Sequence, residues 1–173
     1  MPSPPGGRLA GLLGLRSFDR PVTVADDPTV LLTALAAEPP GWLLPLGLDP
    51  AQHLDGCGCW AEALAAWRQP VLLLVPGDAS LPSGCARAYS ALLLQGGVPC
   101  LGLVQVGGLS APQPDRDGLI WLGWLDPAAA DVETIQELAL ALRLRILVRW
   151  RALSAARPDP LTLDRADAVD PQA

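Results

Sequence analysis

Two lengths of apolar segment alternate along the chain. Short, nearly continuous runs end at glycine or proline, and longer alanine- and leucine-rich stretches separate them. "PVLLLVP" (70–76) and "VPCLGLVQVGG" (98–108) lack the strict in–out alternation of a half-exposed strand, as expected for strands covered on both faces of a parallel sheet. "DGLIWLGWLD" (117–126) predicts a shorter strand, and "GWLLPLGL" (41–48) is a further apolar run between turn residues. Helical spacing covers 28–37, 59–67, 84–97 and 131–153. The 84–97 stretch ends on glycine, where a left-handed cap belongs. In the last stretch Asp131 is a candidate cap, Glu133 and Glu137 fall early, and arginines crowd the late turns from Arg143 onward, as the helix dipole favours. Strand–helix–strand succession predicts an α/β protein with a mainly parallel sheet and a long C-terminal helix. Residues 1–7 ("MPSPPGG") and 156–173 read as loose tails, the second acidic, around a single α/β domain at 8–155.

Composition narrows the partners. Half of the 173 residues are hydrophobic, only 17% are charged, and mean hydropathy is +0.30. That surplus predicts apolar surface covered by a protein partner or by self-association, with a homodimer as the simplest case. A net charge of −6 disfavours nucleic acid and anionic membranes. All twelve basic residues are arginine, so mechanisms that need a lysine of this chain are excluded. The apolar run 9–15 is broken by Gly11 and Gly14 and closed by Arg16, too short for a signal core, and no uninterrupted 18-residue apolar span occurs. The expectation is a cytoplasmic protein whose four cysteines are buried thiols rather than a disulfide framework.

Candidate chemistry concentrates where strands run into loops. "VLLLVPGDASLPSGCARAY" (71–89) has the strand, glycine loop and helix order of a phosphate site. It fails as a Walker motif, because Gly77 and Gly84 are seven apart and Cys85 stands where lysine is required. Backbone amides at Ser83 and Gly84 can still face an anion. Asp78 follows the strand on the edge where α/β proteins bind ligands, and Gln105 and Gly107 end the next strand on the same edge. The candidate ligand set is therefore Gly77, Asp78, Ser83, Gly84, Gln105 and Gly107. "HLDGCGCW" (53–60) offers His53, Cys57 and Cys59 to a soft metal, but C-x-C is not a usual zinc spacing and a glycine-rich turn is the expectation. Cys85, at a helix start, is expected to pack in the core rather than act as a nucleophile. Among six tryptophans, Trp121, Trp124 and Trp150 are the interface candidates.

The order "GWLLPLGLDP…WAEALAAWRQPVLLLVPGDASLPSGCARAYSALLLQGGVPCLGLVQVGG…IWLGWLD" resembles the C-terminal half of dethiobiotin synthetase-like P-loop ATPases over about residues 38–126. The resemblance runs through Gly41 to Leu46, Trp67 to Val75, Ser83 to Gly102 and Leu122 to Leu125. It implies a three-layer Rossmann-like or P-loop-NTPase-like fold with helices on both faces, and ATP with magnesium as the ancestral ligand. The departures carry the functional message. The N-terminal P-loop is absent, Glu38-Pro39-Pro40-Gly41-Trp42 replaces the acidic glycine-rich segment, Ala88 and Tyr89 stand near the loop histidine, and Gln105, Val106 and Gly107 stand where an asparagine belongs. No family catalytic residue transfers, and no cofactor is expected. The sequence thus predicts a non-enzymatic, catalytically stripped relative working through protein contacts. The alternative keeps a nucleotide or small anion at 77–84 and 105–110 for regulation. An ATP-dependent ligase of dethiobiotin type would need a lysine from another chain.

Overall fold

The computed structural model describes residues 5–18, 20, 22–77, 82–108, 118–125 and 132–155. Its centre is a parallel sheet of β5 (Val71–Pro76), β6 (Cys100–Val106) and β7 (Trp121–Leu125), in that spatial order. β5 crosses to β6 through α4 (Pro82–Gln95), so the strand–helix–strand unit predicted from the apolar pattern is present. The chain leaves α4 through Gly96 and Gly97, and Gly97 adopts φ 75° where the helix ends. β6 pairs both neighbours and is buried from Leu101 to Gln105, which explains its uninterrupted apolar character.

Adjacent residues of β6 serve different clusters. Leu103 joins Val75 of β5 and Ala86 of α4. Val104 joins Leu9 from α1 (Pro5–Leu13), Leu125, and Leu138 and Leu142 from α5 (Val132–Ala155). A third cluster, around the fully buried Trp60, unites α2 (Pro28–Ala36), α3 (Trp60–Ala66) and the end of α4 through Leu32, Leu64, Leu93 and Val98. Gly102 and Gly123 let elements approach. A Cβ on Gly102 would lie 2.8 Å from the Ile120 carbonyl oxygen, and one on Gly123 would meet Leu138 of α5 at 2.9 Å.

Short ladders tie the remaining segments. β1 (Arg16–Ser17) pairs in parallel with β2 (Trp42–Leu43), so the run 41–48 supplies a two-residue strand outside the central sheet. β3 (His53–Leu54) and β4 (Gly58–Cys59) form an antiparallel hairpin through Gly56 and Gly58, at φ 77° and 73°. Residues 5–7 of the expected N-terminal tail are helical instead, because Leu9 buries against Val104 and Leu125 and Gly6 packs onto Pro45. The expected tail 156–173 lies outside the described residues. No described helix is long and apolar enough to cross a membrane.

Candidate functional site

The carboxyl edge of the central sheet is where the sequence puts its ligand candidates. Gly77, Gln105 and Gly107 do converge there. Gly77 N donates to the Val106 carbonyl at 2.9 Å, and Gly107 N donates to the Leu125 carbonyl at 3.0 Å, so each strand end is pinned to the next. Gln105 sits between Val75 and Trp124 in the sheet register and is the one buried polar side chain of the described residues. Its Nε2 donates to the Gly107 carbonyl oxygen at 3.0 Å. The Trp124 indole Nε1 donates to the same oxygen at 2.8 Å. Both lone pairs of that carbonyl are thereby used.

Among the described residues, backbone packs tightly at this edge. A Cβ on Gly77 would lie 2.3 Å from the Gly107 oxygen and 2.6 Å from Gln105 Nε2. One on Gly108, at φ 90°, would lie 2.9 Å from the Gly77 carbonyl group. The glycines bring loop backbone against loop backbone, and the Gln105 amide points at the protein's own chain. Gly84, in the first turn of α4, is exposed; Asp78 and the Ser83 side chain lie outside the described residues.

The tryptophan candidates divide. Trp124 is half-buried and locks the edge, while Trp121 packs beside Val75, Ala86 and Leu103. The Trp150 side chain lies outside the described residues.

The cysteine segment has a structural task. Asp27 caps α2, accepting from Thr29 N at 2.8 Å and Val30 N at 3.2 Å. Those backbone bonds, with one from the Cys57 thiol, hold the Asp27 carboxyl below its ordinary value. The same carboxylate, by hydrogen bond first and burial second, pushes the Cys57 thiol up, away from thiolate. Exposed His53 lies opposite Cys59 in the hairpin, and among the described residues no group of three histidine, cysteine or acidic side chains converges as metal ligands. Cys85 is exposed rather than packed in the core, because α4 buries the faces of Ala86 and Leu93 instead. Cys57, Cys59 and Cys100 are half-buried and all four thiols are free. Burial also raises the Cys100 thiol, and burial followed by a hydrogen bond to Asp49 raises the Tyr89 hydroxyl.

Glu38 is exposed and pairs with Arg16 at 3.3 Å. Between α2 and the chain preceding it lies an apolar groove of about 190 Å³, bounded by Phe18, Val22, Leu31, Leu35 and Leu44, with Arg20 and Glu38 at its rim. Asp26 accepts from the Thr23 backbone N–H and hydroxyl, which lower its carboxyl most, and pairs with Arg20, which lowers it further.

One feature of the surface escaped the sequence reading. α5 buries Leu138, Ala139 and Leu142, yet its opposite face exposes Leu140, Leu144, Leu147 and Val148. The signal was available: a helix apolar on two faces has more leucine than one contact stripe requires. The chain matches no family model, no curated protein and no solved structure.

Proposed function

We propose that the protein is a non-catalytic α/β protein that works through protein contacts, foremost with a second copy of itself. In this reading it is a stripped, cytoplasmic relative of the dethiobiotin synthetase-like ATPases, with their three-layer arrangement and without their chemistry. The observation that supports it is the way the described part of the carboxyl edge bonds to itself. Gln105 and Trp124 both donate to the Gly107 carbonyl, and Gly77 lies backbone against backbone with Gly107 and Gly108. An ancestral ligand edge that spends its donors on its own loops has become part of the scaffold. The raised Cys57 thiol argues in the same direction for the cysteine segment.

Thermal unfolding with and without Mg-ATP, Mg-ADP, Mg-CTP and inorganic phosphate tests the reading. A ligand present at a hundredfold excess over its Kd adds about 2.7 kcal/mol, several degrees for a domain of this size. No shift is expected with any of them. A clear shift would revive the 77–84 and 105–110 loops as a nucleotide or anion site and sink the scaffold reading.

A further inference from the structure

We propose that the exposed face of α5 is a homodimer interface in which two copies of the helix pack antiparallel about a two-fold axis at Leu144. The inference rests on the self-association reading above and names its surface. Leu140, Leu144, Leu147 and Val148 keep 60%, 54%, 54% and 57% of their surface exposed, on the side of the helix away from Leu138 and Leu142. At 3.6 residues per turn these four, with Glu137 before them and Arg151 after, fall within an arc of about 100°. Leu140 to Val148 spans about 12 Å along the axis. Four aliphatic side chains bared in a row on one helix form a contact stripe, unlike single exposed leucines scattered over a surface.

The ends of the stripe choose the partner. Glu137 and Arg151 are both exposed, and among the described residues neither joins an ion pair. Leu144 lies seven residues from each of them, and four from both Leu140 and Val148. A second α5 running the other way therefore sets Leu144 on Leu144, Leu140 on Val148, and Glu137 on Arg151, twice over by symmetry. That is the self-complementary patch an isologous contact requires. A parallel pairing would set Glu137 on Glu137 and Arg151 on Arg151, which like-charge repulsion opposes.

Sedimentation velocity of the full chain from 1 to 200 µM tests this. The wild type is expected to dimerise within that range. Leu144→Arg puts two like charges on the axis and is expected to raise the dimer Kd at least about a hundredfold, with circular dichroism unchanged because the site is exposed. Glu137→Arg and Arg151→Glu alone should each weaken the dimer about fivefold or more, while the double reversal, or an equimolar mixture of the two single variants, restores it to within about twofold. These exposed reversals carry the test should Leu144→Arg fail to fold. A wild-type dimer insensitive to all of them overturns this interface and leaves self-association standing. A wild type monomeric at 200 µM overturns both, and Leu144-dependent cosedimentation of that monomer with phosphatidylglycerol vesicles would assign the stripe to a membrane surface instead.

Discussion

Gly77 is not in the left-handed region, so what the fold asks of it is space. A Cβ there meets the Gly107 backbone oxygen at 2.3 Å, and backbone cannot swing aside as a side chain end does. Gly77→Ala is expected to destabilise by about 1–3 kcal/mol through overpacking. Gly11 gives the contrast, since a Cβ meets nothing within 4 Å on that exposed turn of α1. Gly11→Ala should stabilise by about 0.5–1 kcal/mol. Urea midpoints of the two variants settle the comparison, and equal effects would mean the strand-end packing is not tight. The Asp27–Cys57 pair makes a second prediction, with opposite signs for its two members. The thiol is raised above its ordinary 9.0, so its contribution to stability is complete below that pH and is lost as pH rises through the folded value. The carboxyl is lowered from 3.8, so its contribution is present above that pH and is lost as pH falls through the folded value. Asp27→Asn keeps a capping side chain but removes the charge, and should lower the Cys57 thiol toward its ordinary value. Site-resolved alkylation from pH 7 to 10 reads this directly. Cys57 in the wild type should react at higher pH than in the variant; identical profiles would break the assigned contact.

Within α4, "ALLLQ" puts three leucines in a row, and pattern alone cannot say which one holds the fold. The structure separates neighbours sharply: Leu93 is 1% exposed against Trp60's cluster and Leu94 is 76% exposed. Leu93→Ala is expected to cost about 2–5 kcal/mol, and Leu94→Ala to stay within about 0.5 kcal/mol. Denaturant melts of the pair check it, and similar losses would mean α4 is rotated from this arrangement. Elements like α4, β5 and β6 were legible because each carries enough residues for a period or a run to rise above composition. β1, β3 and β4 were not, since two-residue ladders have no period to detect, and their pairing is set by where larger elements deliver the chain. α1 was not legible: Pro5, Gly6 and Gly7 read as tail because those residue types weaken a helix, and 9–15 read only as an apolar run broken by Gly11 and Gly14. Tertiary packing overrides that preference here, with Leu9 supplying the anchor.

At the scale of the molecule, the sequence brought Gly77, Gln105 and Gly107 to one edge but could not say which way their polar groups face. A glutamine after a strand looks the same whether its amide meets a ligand or the next loop. The orientation depends on Trp124, nineteen positions further along than Gln105 and adjacent to it only once β6 and β7 pair. Long-range closure of this kind also governs cooperativity. Leu9 near the start of the chain packs with Val104, Leu125, Leu138 and Leu142, and Arg143 on α5 donates to the Leu12 carbonyl at 3.1 Å, where a cation suits the end of α1. α1 is thus part of the same cluster as the central strand, and its loss would open the sheet. Leu9→Ala is expected to cost about 2–5 kcal/mol while preserving a single transition. Two signals are compared: far-ultraviolet circular dichroism for the helices, and the summed fluorescence of the six tryptophans, among them Trp60 in its own cluster and Trp124 at the strand ends. In the variant both should shift to lower urea by the same amount. If the dichroism moved alone, α1 would be an independently fraying arm and the cluster would not couple the chain's two ends.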